Sequence, residues 1–107
     1  MQRRAMIIRL RPEKRDEYCA LHANAFPGVL AALKAAHASN YSIFLKDDIL
    51  FGYLEYSGSD WEGDMARVAE DPETQRWWAL TDPCQSGWPT AAPGEWWAAM
   101  EQVFFLE

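Results

Sequence analysis

Asn40-Tyr-Ser-Ile-Phe-Leu-Lys46, then Asp47-Asp48, then Ile49-Leu-Phe-Gly-Tyr-Leu-Glu-Tyr56, is the stretch on which the fold turns. Two runs rich in β-branched and aromatic residues, joined by two acidic ones, read as an antiparallel hairpin. In the first run Tyr41, Ile43 and Leu45 share a face; in the second, apolar residues occupy both parities. A sheet with one wet face would alternate apolar and polar, so the pattern predicts a sheet covered on both faces.

Upstream, Arg3 to Leu10 reads as a first strand, with Met6, Ile8 and Leu10 on one side and Ala5, Ile7 and Arg9 on the other. Arg11-Pro12 suits a helix start, where the missing proline N–H is harmless. Tyr18, Leu21, His22 and Ala25 then recur at helical spacing. Pro27 breaks this helix, because it removes a backbone bond and pushes Phe26 out of the α region. Helix resumes through Val29, Leu30 and Leu33, with His37 near its end, and the break leaves His22 beside an irregular turn.

Downstream, Ser59-Asp-Trp-Glu62 is a capping-box pattern opening a helix whose buried stripe is Trp61, Met65 and Val68. Asp71-Pro72 opens another, carrying Trp77 and Trp78 and ending at Thr81-Asp82-Pro83. The stretch from there to Gly94, with Trp88 in it, is rich in Pro, Gly and Ser and reads as a long loop. Glu101 to Glu107 is expected as the final strand, centred on Val103, Phe104, Phe105 and Leu106. The order strand, helix, strand, strand, helix, strand predicts an α+β, ferredoxin-like βαββαβ fold with a four-stranded antiparallel sheet. Helices cover one face of such a sheet, and two sheets packed face to face as a dimer would cover the other.

The 107 residues suit one domain, 1–107. Ten basic against sixteen acidic residues give a net charge of -6, which argues against nucleic acid. Six of the ten basic residues (Arg3, Arg4, Arg9, Arg11, Lys14, Arg15) lie in the first fifteen, spread over a strand edge and a helix start, and read as solvated charge. No run of apolar residues has the length of a membrane span and no signal-like segment stands out. Cys19 and Cys84 are in no metal-binding pattern, and a reduced, cytoplasmic, soluble protein without metal is the expectation. The aromatic fraction is 14%, with six Trp, four Tyr and five Phe. That exceeds what a small core needs, so some rings are expected to line a site.

Gly-rich phosphate loops, GxSxG, HExxH and paired cysteines are absent. The remaining groups able to exchange protons near neutral pH are two histidines, given an unperturbed pKa of about 6.5. His22 projects from the same helical face as Tyr18, one turn earlier, whereas a helix-end role accounts for His37. Trp77 and Trp78 point about 100° apart, so one can pack in the core while the other lines a cavity. Flat apolar rings edged by hydroxyls suit a neutral, hydroxyl-rich ligand such as a sugar.

Taken together, several short motifs in order resemble the L-rhamnose mutarotase family over essentially the whole chain. They are Tyr18 and His22 followed by Pro27; Asn40-Tyr41 leading into Ser-Ile-Phe-Leu; Thr74-Gln-Arg-Trp-Trp78 followed by Thr81-Asp82; and Glu101-Gln-Val-Phe-Phe-Leu106. The resemblance implies a dimeric α/β barrel, a homodimer, that interconverts the α and β anomers of a 6-deoxy-hexose without a cofactor. It also implies that His22 is the proton donor and that Tyr18, Tyr41, Trp77 and Trp78 bind the monosaccharide. Cys84 to Pro93 matches nothing in the family pattern, and Phe26 stands where some relatives carry Trp. L-fucose as substrate, and a dimeric-barrel oxygenase or haem-binding protein with His22 as axial ligand, are the alternatives carried forward. A water or a tyrosine hydroxyl is the expected second proton-transfer group.

Overall fold

The computed structural model describes residues Met1–Glu107. Strand β1 (Gln2–Leu10) runs down the centre of the sheet, antiparallel to β3 (Ile49–Tyr56), from Gln2 opposite Tyr56 to Arg9 opposite Ile49. Strand β2 (Ala38–Lys46) forms the outer edge against β3, and the hairpin predicted from sequence is present. Asp47 and Asp48 both adopt positive φ, 51° and 61°. Two such residues match the right-handed twist of a tight hairpin, and aspartate tolerates that region better than most residues.

On the other side of β1 the expected fourth strand is split. Gln85–Ser86 (β4) pairs with Leu10 and Arg9, and Ala98–Met100 (β5) pairs with Ile7, Met6 and Ala5. The expectation of a final strand at 101–107 is therefore corrected, since pairing ends at Met100 and the apolar run that follows is exposed, Val103 at 87% and Leu106 at 79%. The composition of those residues suits a strand, but this chain offers them no hydrogen-bonding neighbour. The expected loop from Cys84 to Gly94 is corrected in part, because it begins with β4.

Helices cover one face. A 3-10 turn (Pro12–Lys14) leads into α1 (Arg15–Ala23); after the break at Asn24–Phe26, α2 (Pro27–Ala35) starts with proline at its first position. Helices α3 (Trp61–Glu70) and α4 (Pro72–Thr81) follow β3. The cap of α3 is Asp60, whose carboxylate accepts from the Gly63 N–H, so the Ser59 capping box is corrected by one residue. His37 lies just beyond α2 with φ 67°, exposed, in the left-handed turn that ends a helix. The Glu73 side chain of α4 folds over α2, its carboxylate standing where a Cβ on Gly28 would lie.

The sheet's inner face carries Leu50, Gly52, Leu54 and Tyr56 of β3 and Ile8 and Leu10 of β1, all buried. Ile8, Leu10 and Leu50 form the core with Tyr18 and Cys84, and Ile43, Leu45 and Trp97 pack against it. Positions of opposite parity in β3 are half-buried, so within one chain the sheet is covered on one face only. In β2 the register shifts between Ser39 and Ser42, where Asn40 adopts φ 48°. One extra residue reverses which parity faces inward. Ala38 thus faces the helices before the bulge, and Ile43 and Leu45 face them after it.

Candidate active site

Tyr18 and His22 stand one turn apart on α1, and their rings lie 4.1 Å apart with planes inclined at 31°. His22 Nδ1 lies 2.9 Å from the Tyr18 carbonyl oxygen. A carbonyl only accepts, so Nδ1 carries the hydrogen and donates, which leaves Nε2 bare in the neutral ring. Trp77 also packs against His22, its ring meeting the imidazole edge-on at 5.0 Å and in turn meeting Phe26 at 5.1 Å. Phe26 is the residue the Pro27 break holds in extended conformation.

Trp77 is positioned by the start of α4. Asp71 caps that helix, accepting from the Thr74 N–H at 2.8 Å and the Thr74 hydroxyl at 3.0 Å, with Pro72 at the first helical position. Trp77 is buried, while Trp78, the next residue around the helix, is 40% exposed. The two divide as the 100° step predicts. The contacts bring Tyr18, His22 and Trp77 together, and Trp78 stands outside that cluster of rings.

Tyr41 lies in the β2 bulge, which Asn40 braces by donating to Glu55 Oε1 at 2.7 Å, and no hydrogen bond or ring contact joins it to Tyr18, His22 or Trp77. Tyr41 is 38% exposed, yet burial pushes its phenol up to about 12. Burial also raises the Tyr18 phenol, and Tyr41 adds to the effect. Both phenols stay protonated at neutral pH and act as hydrogen-bond donors rather than bases.

Sequence reasoning missed the segment that backs Tyr18. Gln85 on β4 is 3% exposed and donates from Nε2 to the Tyr18 hydroxyl at 3.2 Å, while its Oε1 accepts from Trp96 Nε1 at 2.9 Å. Trp97 lies across the sheet, 3.4 Å from where a Gly52 Cβ would stand, with Met6 at 3.1 Å from the same point. A lone glutamine in a Pro- and Gly-rich stretch carries no periodic signal, so only the fold reveals its partner 67 residues away.

Cys19 and Cys84 are both free thiols. Cys84 is buried and donates to Glu17 Oε2 at 3.3 Å, and burial pushes its thiol up to about 11, so it is unreactive. No group of three or more His, Cys, Asp or Glu side chains is placed to hold a metal ion. No helix is long and apolar enough to cross a membrane. A separate open groove of about 470 Å³ lies at the hairpin end of the sheet, lined in part by Arg9, Arg11, Asp48 and Trp88, and none of the five candidate residues borders it.

The sequence profile described as L-rhamnose mutarotase matches residues 3–106. An L-rhamnose mutarotase from Listeria monocytogenes is 35% identical over 99% of both chains, and one from Burkholderia cenocepacia is 37% identical over the full length of both. Among solved structures, an L-rhamnose mutarotase from Formosa agariphila superposes over both chains entirely with a TM-score of 0.79 at 23% identity. Tetracenomycin F2 cyclase from Streptomyces glaucescens has the same fold, with a TM-score of 0.73 over all of this chain at 13% identity. The fold therefore hosts unrelated chemistry, and sequence separates the families.

Proposed function

The chain belongs to the L-rhamnose mutarotase family, and from that premise we propose that it interconverts the α and β anomers of L-rhamnose by opening and reclosing the pyranose ring, with His22 as the proton-transfer residue. The observation that carries the assignment of His22 is its geometry. Nδ1 is held by the Tyr18 carbonyl and the ring packs against both Tyr18 and Trp77, so Nε2 is the nitrogen left for a substrate.

In the protonated ring, Nε2–H gives its proton to the ring oxygen as the C1–O5 bond breaks, and water takes the proton of the anomeric hydroxyl. The open-chain aldehyde rotates about C1–C2. On reclosure the former ring hydroxyl attacks C1, its proton returns to the bare Nε2, and the aldehyde oxygen takes one from water. The histidine ends as it began. Burial keeps the Tyr18 and Tyr41 phenols protonated, which suits them to orient sugar oxygens and disfavours them as the second base. Trp77 supplies an apolar wall, and Trp78 is the aromatic residue on the open side of α4.

The active unit we infer is a homodimer. Only 18 of 107 residues are buried in one chain, and the sheet's outer face carries an apolar row from Phe44 through Phe51 and Ile7 to Ala98. Phe44 is 63% exposed in the single chain, and the tail from Val103 to Leu106 adds further apolar surface. A second copy laid face to face covers that row and completes a barrel. The two free thiols suit a reducing, cytoplasmic setting.

Anomer exchange in L-rhamnose, followed by saturation transfer between the two anomeric protons, tests the reading. Wild-type protein is expected to accelerate it, and a wild-type protein that leaves the exchange rate at its buffer value would overturn the proposal.

A further inference from the structure

Gln85 and Trp96 flank the irregular segment between β4 and β5, and their polar atoms join in a short chain that ends on Tyr18. An indole N–H can only donate, so the Gln85 atom 2.9 Å from Trp96 Nε1 must be the amide oxygen. The amide nitrogen then faces the Tyr18 hydroxyl at 3.2 Å. A reversed amide would set a donor against the indole donor and leave the carbonyl without it, a costly arrangement in a residue 3% exposed. An amide nitrogen never accepts, so the Tyr18 oxygen accepts from Gln85, and the hydroxyl hydrogen must turn elsewhere. Within the chain it finds no acceptor: Gln85 is the only hydrogen-bond partner of that hydroxyl, although Tyr18 is 4% exposed.

We propose that Trp96 and Gln85 are positioning residues that polarise Tyr18, making its buried phenol an obligate hydrogen-bond donor aimed at an oxygen of the bound sugar. The proposal rests on the sugar-binding reading of Tyr18 and deepens it, since it fixes the direction of one hydrogen bond. The partner at that point is a sugar oxygen that can accept, and a ligand presenting only a donor there is rejected. Trp96 also links the direction to the loop from Gly87 to Glu95, which stands between β4 and the indole.

The variant that discriminates is Gln85→Glu. A carboxylate still accepts from Trp96 but also accepts from Tyr18, so the tyrosine proton turns inward and the bond to the sugar is lost. The KM for L-rhamnose is expected to rise about tenfold, the scale of one hydrogen bond, with kcat changed less. Gln85→Leu and Trp96→Phe, which release Tyr18 instead of reversing it, are expected to raise KM only two- to threefold, roughly a quarter to half of that hydrogen bond. In a Tyr18→Phe background Gln85→Glu is expected to add nothing. The Trp96 indole N–H resonance in 1H–15N spectra gives a readout separate from turnover: it moves downfield in Gln85→Glu and loses exchange protection in Gln85→Leu. Exchange by the wild-type protein tests the mutarotase reading alone, whereas the ratios among folded variants test the relay. An unchanged KM in folded Gln85→Glu, or an equal rise with and without Tyr18, would overturn it. Should Gln85→Glu fail to fold, a Trp96→Phe protein with unchanged KM and unchanged Gln85 amide resonances would do the same.

Discussion

Asp64 is the single carboxylate buried in the chain, at 5% exposure, and two groups bond to it. The Tyr56 hydroxyl donates to Oδ2 and the Arg67 guanidinium pairs with Oδ1, while the Asp60 N–H donates to the Tyr56 oxygen at 2.9 Å. The Tyr56 hydrogen bond first, and Arg67 second, hold the Asp64 carboxyl below its ordinary value. The unfolded chain therefore takes up a proton at Asp64 at higher pH than the folded chain does. The stabilisation is complete above the ordinary aspartate pKa of about 4 and erodes as pH falls through the lower folded value. Thermal unfolding measured from pH 7 down to pH 3 is expected to show a midpoint that drops in the acid range, and Asp64→Asn to lower the midpoint at pH 7 and flatten that dependence. One backbone carbonyl likewise sets the His22 tautomer. Tyr18 and His22 were legible because an i, i+4 pair declares a shared helical face. Gln85 was not, because its meaning lies in a partner on a distant element.

Helix α4 shows how an element delivers a candidate site residue. Asp71 and Pro72 start it, and Trp77, further along it, is set edge-on to His22. Asp71→Ala removes the acceptor of two hydrogen bonds from Thr74 and is expected to cost about 1 kcal/mol. Chemical denaturation checks the loss, and a concurrent rise in KM would show that Trp77 has moved. Strand β2 makes the complementary point. The hairpin was legible from its turn and its β-rich runs, but the bulge at Asn40-Tyr41 was not, since a parity change reads in sequence as imperfect alternation. That imperfection is what turns Ile43 and Leu45 toward the core. The capping box erred by one residue because Ser59 and Asp60 are both good caps and only the chain path chooses between them. The final strand erred for a different reason. Val103 to Leu106 have strand composition, but β1 is paired by β5 only as far as Ala5. Composition reports what a segment needs and not whether its own chain supplies it.

At the scale of the whole molecule, element order alone gave the α+β ferredoxin-like arrangement, because four strands and two helical connections leave few antiparallel sheets to build. The apolar parity of β3 that faces away from the helices is half-buried in one chain, which is the physical content of the expectation that the sheet is covered twice. Phe44→Glu places a charge at the most exposed ring of that outer face. Light scattering at micromolar concentration is expected to give twice the 12.3 kDa chain mass for the wild-type protein and a shift toward the single-chain mass for the variant. A wild-type protein of 12.3 kDa would leave the outer face without its proposed cover. The central claim remains the one about His22. Saturation transfer between the anomeric protons of L-rhamnose, run with wild-type and His22→Asn proteins of matched fold, addresses it most directly. Fast exchange is expected with the wild-type protein and a loss of about 10²- to 10⁴-fold with the variant, the usual contribution of one positioned acid–base group. Undiminished exchange with His22→Asn would contradict it.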